Sequence, residues 1–226
     1  MQRMLAFALA LPCLLAASPA HAERAALDTR APDMYAPAAR TMPKGRWELA
    51  GGLGAAFGPK APLPPITPIP QLLATYGASE RTDILIGLFG AGPSVFGRYN
   101  LVPETLNFEA GVQLGLLPTV DVEPLMELQL DVPVGPLRLH FVPAFQPSVG
   151  PRTQLSAFGV AGVEWPLDDH WDVSASLKTT WSQLDPLDYA PAAGLRFTPE
   201  PCWAVEAVGL MQRGAPAGLL YGARRF

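Results

Sequence analysis

Acid–base or nucleophilic chemistry needs a histidine, thiol, hydroxyl or carboxylate beside a second group that orients it. This chain of 226 residues has three histidines and two cysteines. His140 lies in LRLHFVPAF, two positions after Arg138, and Val142 stands where a hydroxyl nucleophile would be wanted two residues further on. His170 follows Asp168 and Asp169 in PLDDHW, a stretch that reads as a solvated turn rather than an acid–base pair. Cys202 alone makes neither a metal site nor an intramolecular disulfide once Cys13 is removed with the leader described below. The patterns GxSxG and HExxH and the phosphate-binding loop are absent. The residues therefore predict no catalytic centre, no metal site and no cofactor. What remains is a series of charged and amide side chains at alternate positions: Arg46, Glu48, Arg98, Glu109, Gln113, Glu127, Asp131, Arg138, His140, Lys178 and Arg196.

Their alternation is the main signal in the chain. In LNFEAGVQLGLL, residues 106–117, Leu106, Phe108, Ala110, Val112, Leu114 and Leu116 share one parity. Asn107, Glu109, Gly111, Gln113 and Gly115 share the other. Successive side chains of a strand point to opposite faces, so one face here is apolar without interruption and the other small, polar or charged. EPLMELQLDV sets Met126, Leu128, Leu130 and Val132 against Glu127, Gln129 and Asp131. HWDVSASLKTTW sets Trp171, Val173, Ala175, Leu177 and Trp181 against Asp172, Ser174, Ser176, Lys178 and Ser182. About twelve such segments of roughly 9–14 residues follow one another from residue 45, with ten and fourteen as the neighbouring even counts. A tilted membrane strand needs about 9–11 residues. Regularly spaced Pro and Gly punctuate them, and helical periodicity is missing.

The start of the chain supplies a compartment. Residues 1–22 carry one basic residue, Arg3, then a largely apolar run and the small-x-small ending Ala20-His21-Ala22. That is the layout of a cleaved secretory signal peptide. Pro12 before Cys13 departs from a lipoprotein signal, where a small residue is expected. Residues 23–44 show neither strand nor helix period and read as a flexible periplasmic segment, leaving 45–226 as one β domain. Net charge is −4, and no basic run interleaved with aromatics points to nucleic acid.

Two architectures share this alternation. A soluble sandwich turns its apolar face inward, and a membrane barrel turns it outward to lipid. The apolar faces here end in aromatics, with Trp47 and Phe57 on one strand and Trp171 and Trp181 on another, a spacing that sets each pair at the two membrane interfaces. Few segments are continuous apolar runs, which a many-stranded soluble sandwich would need for strands buried on both sides. The chain ends in LLYGARRF. With LLATYGASERTDILIGL (residues 72–88) and VEWPLDDHWDVSASL (163–177), this ending resembles the bacterial outer-membrane β-barrel proteins. Arg224 and Arg225 depart from clean alternation in the last strand. The resemblance implies an all-β, antiparallel, up-and-down transmembrane barrel in the outer membrane of a Gram-negative-type bacterium. It implies that Phe226 is the signal read by the barrel-assembly machinery and that outer-membrane lipid surrounds the wall. It also places the turns SERT, PET, PVGP, PLDD and PEP on the periplasmic side.

The alternating polar residues then face the lumen with roughly balanced charge. The expected function is a small passive channel for ions or small solutes. The alternatives are a closed structural or interaction barrel without transport, and a soluble periplasmic barrel that binds a lipid-like ligand. Short external loops, the longest around Gly58 to Pro68, argue against a receptor for large ligands.

Overall fold

In a strand whose outer face meets lipid, every backbone N–H and C=O must be paired within the wall, so the sheet has to close. The computed structural model does close. It describes residues 41–56, 67–89, 92–115, 120–150, 153–184, 187–212 and 215–226. The predicted leader, most of the predicted N-terminal segment, Phe57 and the Pro-rich stretch after it lie outside the described residues. Twelve strands follow in chain order: β1 (Trp47–Ala56), β2 (Thr67–Ser79), β3 (Thr82–Phe89), β4 (Gly92–Val102), β5 (Leu106–Gly115), β6 (Asp121–Val134), β7 (Leu137–Phe145), β8 (Ser156–Pro166), β9 (Trp171–Ser182), β10 (Asp188–Glu200), β11 (Trp203–Gln212) and β12 (Ala215–Arg225). Each pairs antiparallel with the next, and β12 returns to β1, giving a closed up-and-down barrel. No helix occurs among the described residues.

The closing seam is long. Nine register pairs run from Glu48↔Arg225 to Ala56↔Ala217, and the last residue extends it. The Phe226 N–H donates to the Trp47 carbonyl at 2.7 Å, and the Trp47 N–H donates to the Phe226 carbonyl at 3.3 Å. The short connections at 80–81, 103–105, 135–136, 167–170 and 201–202 gather with both ends of the sheet at one rim, here called the turn end. The opposite rim is the loop end.

Burial decides which way the wall faces. The exposed large hydrophobics include Leu49, Leu53, Ile84, Ile86, Val95, Phe108, Val112, Met126, Leu128, Phe141, Leu177 and Leu195. The buried residues alternating with them include Glu48, Asp83, Arg98, Glu109, Glu127, Asp131, His140 and Glu206. The apolar face is outside and the charged face inside, the inverse of a soluble protein. Interior glycines make room for large rings. A Cβ at Gly52 would lie 2.5 Å from Tyr221 Cδ1, and one at Gly111 would lie 2.3 Å from Phe96 Cδ1. Each ring therefore lies flat across the neighbouring strand instead of projecting across the barrel. Tyr221 reaches over Gly52 to donate its hydroxyl to Gln71.

Residues 41–44 do not belong to a free segment. They fold into the turn end, with Met42 buried and a turn at Lys44–Gly45 leading into β1. β2 begins at Thr67, further into the Pro-rich connection than the alternation alone indicates.

The outward placement of Leu128, midway along β6, has a measurable consequence. Leu128→Arg should lower unfolding stability in lipid vesicles by about 2–4 kcal/mol, the cost of a cation facing the bilayer centre. Urea titration of vesicle-inserted protein measures it.

Candidate functional site: a charged belt inside the barrel

Charged side chains inside a β-barrel are stable only when they satisfy one another or water. Here the inward positions nearest the turn end carry acids and bases on almost every strand, and pairing across strands brings opposite signs together. Asp83 on β3 is opposite Arg98 on β4, which is opposite Glu109 on β5. Arg98 Nε lies 3.1 Å from Glu109 Oε2 and Arg98 Nη1 lies 3.6 Å from Asp83 Oδ2. Gln129 donates from Nε2 to Glu109 at 3.4 Å and also to Glu127. Asp131 on β6 meets His140 Nδ1 on β7, and the Arg138 guanidinium is 3.9 Å from the same carboxylate. Across β8, Glu164 lies 3.5 Å from His140 Nε2 and 3.3 Å from Arg196 Nη1. Arg196 Nε lies 3.6 Å from Glu206. Arg225 Nη2 lies 3.0 Å from Glu48 Oε2 across the closing seam.

These contacts form a belt around the inside of the wall. Asp83 and Glu109 are 0% exposed, and Glu48, Arg98, Asp131 and Glu206 are 1% exposed. One inward position towards the loop end, the chemistry changes to an apolar layer. Leu85 follows Asp83, Phe96 precedes Arg98, Leu125 precedes Glu127 and Val142 follows His140. Phe158 and Val160 complete it from β8. Beyond that layer polar contacts return, with Gln146 donating to Glu123 at 3.1 Å. There Val122 and Val149 exchange backbone hydrogen bonds in the register of the β6–β7 ladder, so the pairing of β6 continues past the end of β7.

The candidates drawn from the sequence are placed as follows. Glu48, Arg98, Glu109, Glu127, Asp131, His140 and Arg196 lie in the belt, and Gln113 is buried nearer the loop end. Arg138 sits at its edge, its side chain 29% exposed. Lys178 lies further up the wall, its ammonium 4.3 Å from the centre of the Phe158 ring. Arg46 is corrected. It has the inward parity but precedes the first strand residue, where the chain has turned at Lys44–Gly45, so its side chain is exposed at the rim. Trp47, Trp171 and Trp181 are exposed on the outer wall, and Phe57 lies outside the described residues. Trp47 packs on Tyr76 with ring centres 4.7 Å apart, and Trp171 packs on Phe197 at 4.5 Å. Phe226 is exposed beside the seam, with the Arg224 guanidinium 5.3 Å from its ring centre.

Three belt residues escaped the sequence reading. Asp83 reads as the first residue of the strand after the turn SERT, in DILIGLF, where the following residues do not alternate polar with apolar, although its parity opposes Ile84, Ile86 and Leu88. Glu164 sits beside an apolar tryptophan near a strand end. Arg225 reads as a break in alternation, whereas it continues the inward series of Tyr221 and Ala223. The charge account changes with them. Among the described residues the belt holds the carboxylates of Glu48, Asp83, Glu109, Glu127, Asp131, Glu164 and Glu206 against the guanidinium groups of Arg98, Arg138, Arg196 and Arg225 and the imidazole of His140. The expected balance gives way to an excess of acid. The apolar layer was likewise not anticipated.

His140 faces carboxylates at both ring nitrogens. The Asp168 carboxylate accepts from the backbone N–H groups of His170 and Trp171 at 2.7 and 2.9 Å, which shapes the turn that presents His170 to solvent.

No protein-family model matches the sequence, and no curated protein matches it. Solved structures do match the fold. An outer-membrane channel from Pseudomonas putida F1 superposes with a TM-score of 0.56 at 10% identity, over 83% of this chain and 97% of that one. A bacterial polysaccharide outer-membrane secretin gives 0.52 at 12% identity, over 81% and 98%. The NanC porin gives 0.50 at 11%, over 79% and 98%. The chain thus has the fold of the bacterial outer-membrane β-barrels.

Arg98 joins two buried carboxylates, so its loss should be costly. Arg98→Met should destabilise the folded barrel by about 3–5 kcal/mol, because the acids stay buried without their cation. The midpoint of urea unfolding in vesicles, compared with wild type, measures it.

Proposed function

We propose that the protein is an outer-membrane channel for small solutes, with the charged belt as its narrowest level and a preference for cations. The carrying observation is that belt: it lies across the interior of a closed barrel, and its carboxylates outnumber its arginines among the described residues. Charged side chains lining a constriction set the sign of the ions that pass. The channel and the porin named above lend support through their fold. In this reading residues 1–22 direct export, the turn end faces the periplasm and Phe226 engages the assembly machinery. No enzymatic step is assigned to His140, whose carboxylate neighbours serve the belt.

One observation favours a second reading, a barrel that does not conduct. Asp83, Arg98 and Glu109 are at most 1% exposed, and the apolar layer lies directly above them. Water must pass both levels for ions to cross.

Planar-bilayer recording separates the two, using protein whose gel mobility shifts on boiling as proof of a folded barrel. The channel reading expects discrete conductance steps and, in a KCl gradient, a reversal potential displaced towards that of potassium. Glu127→Gln should move the reversal potential towards zero, since it removes one belt carboxylate and leaves an amide beside Gln129. A folded protein that stays silent would select the non-conducting barrel.

A further inference from the structure

We propose that residues 41–45 form an intramolecular latch that closes the turn-end mouth of the lumen, with Asp83 as its catch. The proposal rests on the channel reading, since it assigns a gate to that path. The Met42 N–H donates to both oxygens of the Asp83 carboxylate, at 3.0 and 3.2 Å, and Met42 itself is 4% exposed. The same carboxylate lies 3.6 Å from Arg98 Nη1. The latch is therefore joined directly to the charged belt.

The route of the chain to this point is built. The Arg46 N–H donates to the Pro43 carbonyl at 3.0 Å, closing a turn through Lys44 and Gly45. Gly45 has φ +77°, a conformation that L side chains rarely adopt, so glycine is needed at the hinge. Gly45 N–H donates to the Gly77 carbonyl at 2.8 Å, and Gly77 N–H donates to the Arg46 carbonyl at 3.0 Å, so the β1–β2 ladder continues to the base of the latch.

Gly77 is the informative residue. It sits in β2 opposite Asp83, in extended backbone that any residue can adopt. A glycine in such a position marks the close approach of another backbone. A Cβ there would lie 2.3 Å from the Pro43 carbonyl oxygen and 2.9 Å from that of Met42. The strand itself does not call for glycine at 77, and the latch does. A carboxylate catch, a glycine seat and a glycine hinge together make a strap that docks on β2 and β3 at the mouth and swings from Gly45 when Asp83 lets go.

The test uses the full chain with Cys202→Ser and Met42→Cys, so that position 42 carries the one thiol of the exported protein. Labelling by a membrane-impermeant maleimide is followed in vesicle-inserted protein that shows the boiling-dependent mobility shift. Position 42 should be protected, and Gly77→Ala or Asp83→Asn should each speed labelling at least tenfold. Gly77→Ala disturbs no charge, so it stands if the Asp83 variant folds poorly. In bilayers, Gly77→Ala without the cysteine changes should raise mean conductance several-fold over wild type. Equal labelling rates with and without these substitutions would overturn the latch. Faster labelling with unchanged conductance in a wild type that conducts would overturn the gate while the channel reading stands. Faster labelling with every variant silent would overturn the channel reading, and the gate with it.

Discussion

The hydrogen-bond seam between β1 and β12 is the constraint on which the molecule depends. Lipid offers no partner to an open strand edge, and each unpaired backbone group there costs several kcal/mol. Closure requires the first and last strands to be in register over their length, as the nine pairs from Glu48↔Arg225 to Ala56↔Ala217 are. The seam does more than close the wall. It brings Arg225, near the end of the chain, to Glu48, near the start of the sheet, and so completes the belt between the two neighbouring strands that are not consecutive in sequence. The terminal Phe226 locks onto Trp47 just beyond it.

Once the sheet is closed, the pleat divides each strand between two solvents. Outward residues meet hydrocarbon and inward residues must be satisfied by one another or by water. The interior answers in two layers. The ionic belt pairs Arg98, Arg196 and Arg225 with acids on neighbouring strands, because cross-strand positions put opposite charges within reach. The apolar layer gathers Leu85, Phe96, Leu125, Val142, Phe158 and Val160 on the loop-end side of the belt. Gly52 and Gly111 allow Tyr221 and Phe96 to lie along the wall, so their rings do not project across the barrel.

Among the described residues the turn end has short connections and the Met42 to Asp83 contact. At the loop end, Val149 pairs with Val122 in the register of β6 and β7 and lengthens the wall there.

Much of this was legible before any coordinates. Strict alternation in residues such as Leu106 to Gly115 dictates a strand with one apolar face, and repetition of that pattern with short turns dictates an up-and-down sheet. The aromatic ends of the faces orient that sheet towards lipid. Parity also assigns Glu109, Glu127, Asp131 and Arg196 to the interior, because a period of two needs no knowledge of neighbours. Parity fails where a strand begins or ends: it counts Arg46 in although the chain has already turned, and it leaves out Asp83 and Arg225 because turn and terminus obscure their strands. Only the tertiary structure decided which residues meet. Contacts such as Arg196 to Glu164 and Glu206, or Met42 to Asp83, depend on register and on the path of the chain at the rim. Alternation constrains neither, since sliding one strand by two residues preserves every face and changes every partner.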